Sequence, residues 1–248
     1  MKANHVNGSY SLMRLKISGD GEQTISVSQV DERCFNRHSE YDYSNCRMII
    51  YKIEEDAEAL QDIKLSYVQG VSGWDRETHA MFENLEKGDY YVYVEIDWNA
   101  NTEDTEFCVT CYGATRTFFL RDEKSLFDKN ALLRKGYQSK CQKQDEAVKC
   151  VNYDSKGAPA IKKFSGFTEE GYGFIHFENN EKSATLKEKV VYKNFKGLTL
   201  CSPQQGEQYD ISVGPGEQKT ILMQCHPEGY SMSSSTSSQI SFSGKQLK

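Results

Sequence analysis

The chain has 248 residues, a formal net charge of −6 and 15 tyrosines, and 38% of it is hydrophobic. Counting glycine and leaving out tyrosine puts the apolar share at about 39%, below the roughly 45–50% of an average domain, which suits two units of about 100–125 residues better than one large core. Alanine and leucine together number only 25, which excludes a helical bundle, while 12% aromatics and the modest charge exclude full disorder.

The elements expected from the sequence follow in chain order. The opening Met1-Lys2-Ala3-Asn4-His5-Val6 has no apolar signal core, and no stretch approaches a membrane span. The expectation is an intracellular, cytoplasmic protein without a transmembrane segment, its eight cysteines reduced and mostly buried. Ile25–Val30 alternates apolar and polar residues, and Arg47–Ile53 is a continuous apolar run of the kind found in a central sandwich strand. Ile63–Val68, Tyr90–Ile96, Phe107–Tyr112 and Thr115–Leu120 are further strands. Asp122–Lys135 reads as a helix, with Leu126, Phe127, Ala131 and Leu132 or Leu133 on one face and Gly136 as its cap. Strands return at 173–177, 189–192, 198–200, 209–213 and 219–223, with a tight Gly214-Pro215-Gly216 turn before the last. The segment from Ser231 to Ser238 is serine-rich and is expected as a mobile or edge piece.

This pattern predicts an all-β protein of two tandem antiparallel β-sandwiches, residues 10–121 and 137–248, joined by a short helix at 122–136. The turn at Leu85–Tyr90 and the one after Tyr209–Val213 each lead into a strong strand, which suggests a duplicated unit.

The candidate chemistry is sparse. Cys108-Val109-Thr110-Cys111 lacks the second pair that a zinc ribbon needs, and on a strand its sulfurs point to opposite faces. The run from Asp97 to Glu106 offers Asp97, Asn99, Asn101, Glu103 and Asp104 as oxygen ligands for calcium. It departs from an EF-hand at Thr102 and Cys108, and its plainer reading is a solvated acidic hairpin. Cys34 and His38 are close in sequence but in a loop, and His176 lies in an apolar strand where a structural role is expected. Lys182, Lys187, Lys189 and Lys193 form a basic run that Glu181 and Glu188 interrupt, so it reads as a solvated face. An acidic balance without a basic stripe argues against nucleic acid. No hydrolase, nucleotide or zinc-protease motif is present, so no catalytic residue or cofactor is assigned.

Several segments resemble the C2-like β-sandwich that follows the protease core in calpain-type cysteine proteases. They are Val27-Ser28-Gln29-Val30-Asp31-Glu32-Arg33, the strand at Arg47–Lys52, and Leu85-Glu86-Lys87-Gly88-Asp89-Tyr90-Tyr91-Val92. The second half is similar to a further such domain through Gly171–Asn180 and Val213–Glu217. The family's catalytic cysteine sits in a Q-G-x-x-G-D-C-W setting, and Glu32-Arg33-Cys34-Phe35 does not match it. The resemblance therefore implies a non-catalytic protein, not an enzyme. Its expected partners are other proteins in a large intracellular assembly, such as a ciliary axoneme or cytoskeletal array, with some tyrosines as contact surface. The alternatives are a calcium- or phospholipid-responsive module with peripheral membrane contact, or a regulatory partner of a calpain protease.

Overall fold

The computed structural model describes residues 8–35, 41–57, 62–98, 106–120, 128–143, 147–202 and 208–242. The fold is all-β apart from one α-helix and two short 3-10 turns, and the chain divides into two compact units, Met1–Phe127 and Asp128–Lys248.

The first unit contains β1 (Gly8–Ile17), β2 (Gly21–Gln29), β3 (Asn45–Glu55), β4 (Lys64–Gly73), β5 (Glu77–Leu85), β6 (Gly88–Asp97), β7 (Phe107–Gly113) and β8 (Thr117–Leu120). They form a five-stranded sheet, β4-β3-β6-β1-β8, and a three-stranded one, β5-β2-β7, with antiparallel neighbours throughout. Leu15, Ile17, Ile25, Val27, Met48, Ile50, Val92 and Val94 form the core between them. On β3 and β6 the alternate residues Ile49, Tyr51, Tyr91 and Tyr93 are also fully buried, so both faces are covered. That is why these two strands read as unbroken apolar runs. β1 and β5 were not among the expected strands. β1 lies inside the large sheet, and Leu15 and Ile17 are core residues, so the sandwich begins well before Ile25.

The second unit contains α1 (Lys129–Gln142), β9 (Lys149–Tyr153), β10 (Ala158–Phe167), β11 (Tyr172–Asn179), β12 (Ala184–Lys196), β13 (Leu198–Ser202), β14 (Gln208–Val213), β15 (Gln218–Cys225) and β16 (Ser231–Phe242). Its sheets are β13-β15-β11-β10-β9 and β14-β12-β16, enclosing Ile161, Phe177, Leu186, Val190, Tyr192, Val213, Ile221 and Met223. The helix starts later than Asp122 because Asp128 caps it, accepting from the backbone N–H of Asn130 (2.9 Å) and Ala131 (3.2 Å). It continues through Gly136, which is buried in the helix instead of ending it. Leu132, Leu133, Tyr137 and Cys141 face inward, α1 packs on β11 and β15, and Tyr137 stacks on Phe174 at 5.2 Å. In the turn from β14 to β15, Gly216 adopts φ 73°, which favours glycine.

The two units share a topology. The order β3-β6-β1 facing β5-β2-β7 recurs as β13-β15-β11 facing β14-β12-β16, strand for strand in chain order. The turns that suggested duplication in the sequence, β5–β6 and β14–β15, occupy equivalent places, each crossing from the three-stranded to the five-stranded sheet. The seat beside β1 is filled by β8, the last strand of its unit, whereas the seat beside β11 is filled by β10, which precedes it.

Ten of the fifteen tyrosines are buried: Tyr51, Tyr67, Tyr90, Tyr91, Tyr93, Tyr137, Tyr153, Tyr172, Tyr192 and Tyr209. The tyrosine excess is thus mostly core, with Tyr10, Tyr112 and Tyr230 among the exposed ones. All eight cysteines are free thiols, but only Cys46, Cys141 and Cys225 are buried, fewer than expected.

Candidate functional site

The constellations named from the sequence fall apart in space. Cys108 is exposed on the outer face of β7, while Cys111 points toward the core. Asp97 ends β6, and its carboxylate is held by the Arg47 guanidinium, itself 1% exposed. The carboxylate that would open a calcium loop is therefore already engaged. Asn99, Asn101, Glu103 and Asp104 lie outside the described residues, as does His38. Among the described residues, no group of three or more His, Cys, Asp and Glu side chains converges as a metal site would.

His176 is buried, as its apolar strand implies. Its Nδ1 lies 2.8 Å from Thr220 Oγ1, its Nε2 lies 3.4 Å from Glu178 Oε1, and its ring stacks on Phe164 at 6.1 Å. The order hydroxyl, imidazole, carboxylate superficially resembles a hydrolase triad. However, Thr220 is simply the cross-strand partner of His176, the imidazole is 1% exposed, and the carboxylate is beyond good hydrogen-bond distance. Burial pushes the imidazole pKa down, against the pull of Glu178, which favours the neutral ring.

A different site emerges on β12. Leu186, Val190 and Tyr192 point into the core, and strand alternation sends Glu188 the same way, 1% exposed. There its carboxylate accepts from Tyr153 Oη at 2.6 Å, Tyr209 Oη at 3.0 Å and Lys163 Nζ at 2.6 Å. Three donors, one of them charged, offset the cost of burying the carboxylate. Burial and the neighbouring carboxylate push the hydroxyls of Tyr153 and Tyr209 well above the usual phenol range. Glu181 is also drawn back, accepting from Ala160 N at 3.0 Å.

The opposite parity carries Lys187, Lys189, Val191 and Lys193 to the outer face of the β14-β12-β16 sheet, with all three lysines exposed. Lys187 lies between Ser212 and Gln239, and Lys189 between Asp210 and Ser237. Ser235 is opposite Val191, and Ser233 is opposite Lys193. Asp210 is the one acid on this face among the described residues, and no carboxylate there forms an ion pair with any of the three lysines. Of the two interruptions seen in the sequence, Glu188 is thus absent from the surface, while Glu181 stays half-exposed before β12 with its carboxylate held by Ala160 N. The basic run is a lysine column beside a ladder of serines.

Charge is also partitioned between the units. Residues 128–248 carry 17 Lys and Arg against 13 Asp and Glu, a net +4, whereas residues 1–127 carry 13 against 23, a net −10. The acidic whole-chain balance conceals a basic second unit. Next to the lysine face, an open groove of about 620 Å³ runs between α1 and the strands β14 and β15. Asp210 and Ser212 line it together with Arg134, Lys135 and Lys219. Lys219 is tied down, donating to Ser212 O at 2.6 Å and pairing with Glu217 at 3.0 Å. The signal for the face was present in the sequence: Glu188 shares the parity of Leu186 and Val190.

The fold and face define an antiparallel two-sandwich protein with a cationic sheet surface on its second unit. No family model matches the chain, and no curated protein matches it. Among solved structures, the chain is similar to a GH2 beta-galacturonidase from Eisenbergiella tayi bound to galacturonate, at 7% identity over 91% of this chain, with a TM-score of 0.22. It spans only 30% of that chain. It is also similar to procruciferin, the 11S globulin of Brassica napus, at 9% identity over 96% of this chain and 79% of the other, with a TM-score of 0.18. Likenesses this remote bear on neither activity nor partners. Among the described residues, no helix is long and apolar enough to cross a membrane.

Proposed function

We propose that this protein is a non-catalytic adaptor, a tandem of calpain C2-like sandwiches that serves as a subunit of a large intracellular assembly such as a ciliary axoneme or a cytoskeletal array. The observation that supports this reading most is the sorting of charge on β12. Lys187, Lys189 and Lys193 face outward, while Glu188 is consumed inside. A sheet face with three lysines against one acid among the described residues, Asp210, is a surface for an anionic partner. The calcium-responsive alternative is weakened by the engagement of Asp97 with Arg47.

Fractionation of cells expressing the tagged protein tests the reading. The protein is expected to remain with a detergent-resistant assembly and to be released as ionic strength shortens the Debye length below about 8 Å. Recovery as a freely soluble monomer at low salt overturns it.

A further inference from the structure

β16 is the outermost strand of its sheet, paired only with β12. It is 12 residues long, and all but Ser238 and Ile240 are exposed. Its sequence, Ser231-Met232-Ser233-Ser234-Ser235-Thr236-Ser237-Ser238-Gln239-Ile240-Ser241-Phe242, holds no proline and no charge. Sheet edges are ordinarily blunted by such residues, because an open edge is a template for another strand. One protection comes from elsewhere: Lys156 Nζ donates to Ser238 O at 2.7 Å and to Ser238 Oγ at 2.6 Å. That contact also fixes the parity of the edge. We infer from it that the Ser238 carbonyl faces the open edge, and by the two-residue alternation of an antiparallel ladder Ser234 and Thr236 then present their backbone N–H and C=O outward as well.

We propose that an extended acidic segment of another protein adds to this sheet along Ser231–Ser237 as a fourth strand. Its backbone would pair with the outward groups of Ser234 and Thr236. Its carboxylates on the outer face would lie beside Ser233, Ser235 and Ser237, in line with Lys193, Val191 and Lys189 of β12. At a strand spacing of about 4.8 Å the added strand lies roughly 10 Å from β12. That gap is bridged by a lysine leaning across a serine toward a glutamate, and the serines are short enough to be crossed. Asp210 faces Lys189 from β14, the side away from the added strand, and among the described residues no acid stands opposite Lys187 or Lys193.

Charge and geometry select this occupant. A second copy pairing β16 to β16 would bring two net-positive units and two lysine columns together. A phospholipid headgroup would use the lysines but not the row of backbone groups. The inference rests on the adaptor reading and supplies the chemistry of its partner.

The test uses the full chain and a fluorescein-labelled peptide of about ten residues alternating Glu and Thr, followed by anisotropy. Binding is expected. It should weaken about two- to fivefold for each of Lys189→Ala and Lys193→Ala, and less for Lys187→Ala, which lies opposite Gln239 beyond the added strand. Alternate N-methylation of the peptide, which keeps its charge but removes strand hydrogen bonds, should cost at least tenfold. Thr236→Pro should do the same without unfolding the unit, since that N–H faces the open edge and not β12. Circular dichroism verifies that each variant is folded. Equal binding of the N-methylated peptide, sedimentation with phosphatidylserine vesicles without peptide binding, a concentration-dependent dimer that excludes the peptide, or no binding each overturns the proposal. If peptide binding fails while the protein still fractionates with a detergent-resistant assembly, strand addition falls and the adaptor reading stands.

Discussion

Replacing Glu188 by alanine probes the inward turn of β12 on which the cationic face depends. The carboxylate is 1% exposed and accepts from Tyr153, Tyr209 and Lys163. Its loss leaves two buried hydroxyls without an acceptor, at about 1–3 kcal/mol each, and strands a mostly buried ammonium. Breaking a buried ion pair costs about 3–5 kcal/mol, and these contributions overlap because they share one acceptor, so about 3–5 kcal/mol is the expected total. In a unit of roughly 120 residues each kcal/mol moves the midpoint by about 4 °C, which predicts a fall of about 12–20 °C. Differential scanning calorimetry of the full chain reads this out. Adding Lys163→Met to Glu188→Ala is expected to recover part of the loss, since the orphaned charge goes too. A fall of less than about 3 °C would refute the reasoning, because surface carboxylates are worth only about 0–1 kcal/mol. Glu188 would then lie outside, among the lysines, and the cationic column would not exist.

Other outcomes follow from the same structure. The hydroxyls of Tyr153, Tyr192 and Tyr209 are raised, chiefly by burial, Tyr192 to about 12. The unfolded chain releases these protons near pH 10 and the folded one does not, so stability is complete below about pH 10 and is lost as pH rises toward and past 12. Absorbance at the phenolate band should therefore show these tyrosines titrating together with loss of structure. A smooth titration of all fifteen in a still-folded protein contradicts this. In thiol labelling at neutral pH, exposed Cys34, Cys108 and Cys150 are expected to react quickly. Cys46 and Cys141, whose thiols burial pushes up to about 12, should react only in denaturant, as should buried Cys225. Mass spectrometry of the labelled peptides separates the two groups, and early labelling of Cys141 would mean that α1 is not seated as described.

Local pattern carried much of this fold into the sequence. β3 and β6 are legible because both faces are buried and the run is continuously apolar. β1 is not, since Leu15-Lys16-Ile17 gives too short an alternation and its place between β6 and β8 depends on residues far along the chain. The sequence pattern starts the helix too early because Asp122 and Asp128 are equally good caps on paper, whereas Asp128 caps it in the fold, where Tyr137 stacks on Phe174. Arg47 and Asp97 are fifty residues apart, so the loss of that carboxylate to an ion pair could not be seen from the loop's own composition. The lysine run shows the opposite limitation. Charge counted along the chain mixes two sides of a strand, and the parity of Leu186 separates them.

The seat beside β1 and its equivalent beside β11 are taken by strands from opposite ends of their units. What the two halves have in common is therefore a six-stranded kernel, with the flanking strand acquired separately. This gives the halves different orders of completion during synthesis. The first cannot close its large sheet until Thr117–Leu120 has left the ribosome, while the second has that flank in hand before its kernel begins. It also marks where each can be cut and rejoined. Moving the β8 segment ahead of β1 would put that flank where β10 stands in the second half, leaving β4 and β9 as the strands without a counterpart.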